Sequence, residues 1–151
     1  MADHFYDTWK RAQLGGTGGG IDFDTDPLFM MLVNATYQGL STATRRAHDF
    51  RDDADQDEIT ATGYTAGGVQ LTSVSIVSDG TNGYKITCSN PAWASFTGSA
   101  YGAVLFKRVG ADMSTPADDP LIAFWDFVTV QSASNGTFTL TVPAGGLLSL
   151  P

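Results

Sequence analysis

Two histidines, one cysteine and a run of aspartates are the side chains of this sequence with chemistry beyond packing. His4 and His48 are far apart. No His-x-x-x-His or Cys-x-x-Cys pair is present, so zinc has no ligand set at a usual spacing. No serine sits in a Gly-x-Ser-x-Gly elbow of the kind that presents a nucleophile on a strand-to-helix turn. Cys88 alternates with Tyr84 and Ile86, which reads as a buried, inert thiol rather than a reactive one. Asp53-Ala54-Asp55-Gln56-Asp57 spaces its carboxylates like the start of a calcium loop. Glu58 stands where that loop needs glycine, and Tyr64 where it needs its closing glutamate. A solvated acidic loop fits better, with Arg45, Arg46 and Arg51 near enough in sequence to neutralise part of it. The glycine run Gly15 to Gly20 lacks the lysine of a phosphate-binding loop and follows a helical pattern rather than a strand, so it reads as a linker. The residues thus point away from catalysis, and no cofactor or metal is expected.

Aromatic side chains are the other candidates. Trp93, Phe96, Tyr101, Phe106, Phe124, Trp125 and Phe127 could stack on sugars, but most fall at alternating strand positions, where core packing is the default.

The elements that would hold these residues are mostly strands. His4 to Leu14 carries Phe5, Trp9 and Ala12 at helical spacing, which predicts a short amphipathic arm. With the glycine run it forms an arm and linker over residues 1–20, either docking on something else or capping its own domain. Leu28 to Val33 is apolar at every position, as in a strand buried on both faces. Ser41 to Glu58 holds most of the charge and reads as an irregular excursion, with a short helix around Thr44 to Phe50. Ile59–Thr62, Val69–Ser78, Tyr84–Ser89, Ala100–Val109, Leu121–Val130, Thr137–Val142 and Leu147–Leu150 read as strands. A phase change near Ser73 marks a bulge, Asp79 to Gly83 a hairpin loop, Pro91 and Trp93 an irregular edge, and Ser132 to Gly136 a turn. About eight short strands at these intervals predict an all-β fold, a single antiparallel sandwich over residues 21–151.

The chain has 151 residues, enough for one domain with a core of its own. Charged residues make up 16%, below the usual share of about 25%, and the net charge is −8. A chain this acidic repels nucleic-acid phosphates and anionic membranes alike. No leader-like basic and apolar segments open it, and no apolar run is long enough to span a bilayer, so synthesis in a cytoplasm is expected.

Several ordered segments carry a resemblance. They are Gly20-Ile21-Asp22-Phe23-Asp24-Thr25-Asp26, His48-Asp49-Phe50-Arg51-Asp52-Asp53, Thr62 to Val69, Pro120-Leu121-Ile122-Ala123-Phe124-Trp125-Asp126-Phe127, and Asn135 to Leu140. Together they resemble a family of small virion structural proteins of tailed bacteriophages. The resemblance implies a non-enzymatic virion component, above all a capsid cement or decoration protein. A tail or fibre-base protein is the runner-up, and a carbohydrate-binding adhesion module the third reading. The implied partners are the major capsid protein and further copies of the chain in a symmetric assembly. Phe5 and Trp9 on the arm, with Phe29 and Met31 on Leu28–Val33 and Phe124 and Phe127 on Leu121–Val130, a second strand apolar on both faces, are the expected partner-binding residues. The outward side of those strands is expected to meet another chain or the N-terminal arm; the competing account is that the Ser41 to Glu58 excursion folds back over them as a lid.

Overall fold

A computed structural model describes residues 4–14 and 20–150. The sequence folds into 42% strand and 18% helix, a mainly β protein built on two antiparallel sheets. In chain order the elements are β1 (His4–Phe5), α1 (Asp7–Gln13), β2 (Leu28–Val33), α2 (Ala35–Gly39), α3 (Thr42–Ala47), α4 (Asp52–Asp55), β3 (Val69–Gln70), β4 (Ser75–Ser78), β5 (Tyr84–Thr87), β6 (Ala92–Lys107), β7 (Leu121–Thr139) and β8 (Leu148–Leu150). One sheet runs β1-β7-β6-β2-β3 and the other β4-β5-β8.

β2 explains the architecture. It lies between β6 and β3, and all six of its residues are buried. Successive side chains of a strand point to opposite faces, and here both faces meet a core. Leu28, Met30 and Leu32 join Ala103 and Leu105 of β6, Ile86 and Leu148 of the smaller sheet, and Trp9 and Phe23. Phe29, Met31 and Val33 join Val104 and Phe106 of β6, Leu121 and Phe124 of β7, and Tyr6, Tyr37 and Ala54. A register shift between Leu105 and Phe106 of β6 faces Ile122 of β7, which is why Leu121 and Phe124 share a face despite their odd spacing.

The second face is therefore closed by the chain's own helices. The cover comes from the N-terminal arm, which supplies Tyr6, together with Tyr37 and with Ala54 of the Ser41 to Glu58 excursion, so the arm and the lid share it within the chain. Asn34 caps α2, its Oδ1 accepting from the Thr36 and Tyr37 amides at 2.8 and 3.2 Å. Ser41 Oγ caps α3 by accepting from the Thr44 amide. Arg45, buried to 6% exposure, donates from Nη1 to the carbonyls of Tyr37, Gln38 and Leu40, so it satisfies the open C-terminal end of α2.

Three guanidinium groups lie over three rings of this face. Arg45 is 4.7 Å from the Phe124 ring, Arg51 5.4 Å from Phe106 and Arg108 4.8 Å from Phe29. Arg51 also forms a buried ion pair with Asp119, Nε to Oδ2 at 3.0 Å, while Asp119 Oδ1 accepts from the Val109 amide at 2.8 Å. Arg46 binds Asp7 at 2.9 Å. The arginines of the excursion thus serve the lid, and not the acidic loop as their sequence proximity suggested. Tyr6 and Tyr37 share a hydroxyl hydrogen bond of 2.6 Å under the lid, and Tyr37 reaches His48 Nδ1 at 3.2 Å. Burial pushes both phenol pKa values upward.

The arm belongs to the fold. β1 pairs with β7, Tyr6 is fully buried, and Trp9 is 3% exposed with its ring stacked on Phe5 at 4.6 Å. Of the two readings of the arm, the local cap describes residues 4–14; Gly15 to Gly19 lie outside the described residues.

Other boundaries move too. Ile59 to Thr62 contributes only an isolated bridge, Thr62 to Thr97. The expected bulge near Ser73 is a break: Ser73 has φ +54°, and β3 and β4 fall in different sheets. The expected turn at Ser132 to Gly136 lies inside the long strand β7, whereas the region of Pro91 and Trp93 is irregular as expected: β6 starts at Ala92, its register shifts between Trp93 and Phe96, and Ser95 has φ +52°.

Candidate interaction surface

β6 and β7 run on together past the rest of their sheet. Among the described residues, β2 pairs with β6 over Gly102 to Lys107, and β1 pairs with β7 at Ala123 and Phe124. Beyond these, Ala92 to Ala100 pairs with Gln131 to Thr139 as a two-stranded ribbon. Trp93, Phe96, Ala100 and Phe138 turn one side of it into the core. The other side is serine and threonine, with Ser99 and Ser132 hydroxyls bonded at 2.8 Å.

This ribbon carries no charge. The chain has 8 basic and 16 acidic side chains, yet none lies between Lys85 and Lys107 and none follows Asp126. The ribbon's own residues thus lack charge, as residues at the core of protein interfaces commonly do.

Where the ribbon leaves the sheet, β7 bulges. Ala100 pairs with Gln131 and Gly102 with Asp126, so four residues, Phe127 to Val130, stand opposite Tyr101 alone. Val128 is forced to φ +60°, which a β-branched side chain rarely adopts. Its side chain is 85% exposed and that of Val130 41%. Asp126 holds the bulge in place: its Oδ1 accepts from the Val128 amide and from Gln38 Nε2, each at 2.7 Å. Directly beside it opens a groove of about 340 Å³ lined by Pro91, Trp125, Phe127, Leu140, Val142 and Leu147 among others. A volume near the lower end of the ligand-pocket range, about 300–1,000 Å³, suits a few aliphatic side chains better than a large ligand.

All six residues expected to bind partners pack within the chain. Phe29, Met31 and Phe124 are 7%, 0% and 0% exposed under the helical lid. Trp9 is buried and Phe5 half-buried against it. Phe127, half-buried, lines the groove and is the one that reaches the surface just described. Val128 and Val130 were missed because the run from Leu121 reads as one regular strand. The signals that point to them are Asp126 inside an apolar run and the 25 uncharged residues after it.

No family model matches the chain, and neither a curated protein nor a solved structure matches it.

The residues with reactive side chains are held in structural roles. Asp53 Oδ2 accepts from the Asp49 amide at 2.9 Å and more weakly from that of Phe50. Among the described residues no group of three or more His, Cys, Asp or Glu is placed to hold a metal ion. Burial raises the pKa of Cys88. Glu58 Oε1 accepts from the Tyr64 hydroxyl at 2.5 Å and the Gly67 amide at 2.7 Å, and burial raises its pKa. Tyr84 is the only exposed aromatic among the described residues, so the paired exposed rings that would favour sugar binding are not on this surface.

Proposed function

We propose that this chain is a structural component of a tailed-phage virion, most specifically a capsid cement protein that joins neighbouring major capsid protein subunits without catalysing a reaction. The observation that carries the reading is the charge-free ribbon with two projecting valines beside an apolar groove. The ordered resemblance along the chain supports the virion assignment. In this reading the mechanism is mechanical. Each contact removes apolar surface from water at about 25 cal/mol per Å². Repetition over a symmetric lattice multiplies weak contacts into firm attachment. The test is co-sedimentation of the purified chain with phage heads that lack it. Saturable binding that Val128→Ser with Val130→Ser weakens at least tenfold is expected. Absence of pelleting at any concentration overturns the cement reading.

A further inference from the structure

We infer that Tyr6, Tyr37 and His48 form a one-way hydrogen-bond chain that is complete only while His48 is neutral, so that the closure of the N-terminal arm on the helical lid loosens in acid. The inference goes beyond the assembly reading above and does not rest on it.

The chain ties three elements together. Tyr6 stands between β1 and α1, Tyr37 lies on α2, and His48 caps the C-terminal end of α3. Both tyrosines are fully buried, their hydroxyl oxygens are 2.6 Å apart, and the Tyr37 hydroxyl is 3.2 Å from His48 Nδ1. His48 is half-buried, so solvent protons reach the chain at this end. Burial holds both phenol pKa values above their usual range, so both hydroxyls keep their protons where histidines titrate.

Direction follows from the buried end. Among the described residues, Tyr37 is the hydrogen-bond partner of the Tyr6 hydroxyl and there is no other, so the Tyr6 proton points to Tyr37. The Tyr37 oxygen accepts it, and the Tyr37 proton goes on to Nδ1. Neutral His48 therefore accepts at Nδ1 and carries its own proton on Nε2. In the protonated ring both nitrogens donate. Nδ1 then gives to Tyr37 and Tyr37 to Tyr6, and the Tyr6 proton is left in a buried site without an acceptor. Water satisfies every hydroxyl of the unfolded chain, so the reversal weakens the folded state alone, and stability is lost as pH falls.

Charged and titratable neighbours come from every element packed on the chain. Arg45 of α3 and Asp53 of α4 act on both phenols, and Asp57 acts on Tyr37. Arg46 binds Asp7 of α1, Asp49 accepts from the Thr8 hydroxyl, and the His4 ring meets Tyr6 edge-on at 5.5 Å. The C-terminal end of α3 favours a cation at His48. All of these act on His48 whether or not the two hydroxyls are present.

Tyr6→Phe with Tyr37→Phe removes both hydroxyls and keeps that background. Calorimetry of the full chain at about pH 8 and about pH 5.5 compares it with wild type. On acidification the wild type is expected to lose about 2–12 °C more in melting temperature than the double variant. His48→Gln should behave like the double variant, and His4→Gln like wild type. Nitrogen-15 NMR at about pH 8 should show His48 with Nδ1 bare and Nε2 protonated. Equal losses in wild type and the double variant overturn the inference. A wild-type loss in His48→Gln, its disappearance in His4→Gln, or a proton on Nδ1 of neutral His48 does so too. If the double variant does not fold, His48→Gln and the NMR reading decide in its place.

Discussion

Replacing Trp9 by alanine tests whether residues 4–14 belong to the fold or serve as a free docking arm. Trp9 is 3% exposed, stacks on Phe5 at 4.6 Å and meets Phe23 edge-on at 6.5 Å. Truncating a buried tryptophan costs about 3–5 kcal/mol once the cavity is included. For a domain of this size each kcal/mol lowers Tm by about 2–4 °C, so Trp9→Ala should lower it by about 6–20 °C. Among the described residues the buried indole Nε1 has no hydrogen-bond partner. Trp9→Phe removes that polar group while keeping most of the ring, so it should cost much less, under about 1.5 kcal/mol. Scanning calorimetry of the three proteins reads both effects. A shift under about 2 °C for Trp9→Ala would refute the packing argument and return the arm to an external role.

Asp119→Ala leaves the Arg51 guanidinium buried without its partner and should destabilise by about 3–5 kcal/mol in urea unfolding; a cost below about 1 kcal/mol would show that water reaches the pair. Burial raises the Glu58 pKa, so the folded state holds this proton to higher pH than the unfolded chain does. Its contribution is complete below the ordinary value of 4.5 and is lost as pH rises through the raised folded value. Glu58→Gln should flatten that part of the stability profile, and identical profiles for variant and wild type would contradict it. Deletion of residues 1–14 should unfold or strongly destabilise the chain, since it removes Tyr6 and Trp9 from two different cores; an unchanged melting curve would contradict the fold account.

Leu28 to Val33 shows how far sequence reasoning reaches. Six consecutive apolar residues specify a strand buried on both faces, and β2 is that strand. They do not specify what covers each face. The cover comes from Tyr37, Arg45, Arg51 and Ala54, in a segment whose charge hides its role: two arginines there are buried, one by capping carbonyls and one by an ion pair. Charge runs are usually solvated, and side-chain partners such as Asp119 are distant in sequence. The bulge at Phe127 to Val130 escaped for a related reason. Alternation fixes side-chain direction only while the register holds, and four residues opposite one break it. In the arm the helix around Trp9 was legible, but Phe5, read as part of its helical stripe, falls on strand β1 ahead of it, and the spacing did not show that both would pack on the same chain.

A cryo-EM map of the phage particle that encodes this chain tests the central claim most directly. The account predicts density fitting both sheets on the outer face of the capsid lattice, with Val128 and Val130 buried against a neighbouring subunit. A particle without this chain, or one in which the β7 bulge faces open solvent in every copy, would contradict it.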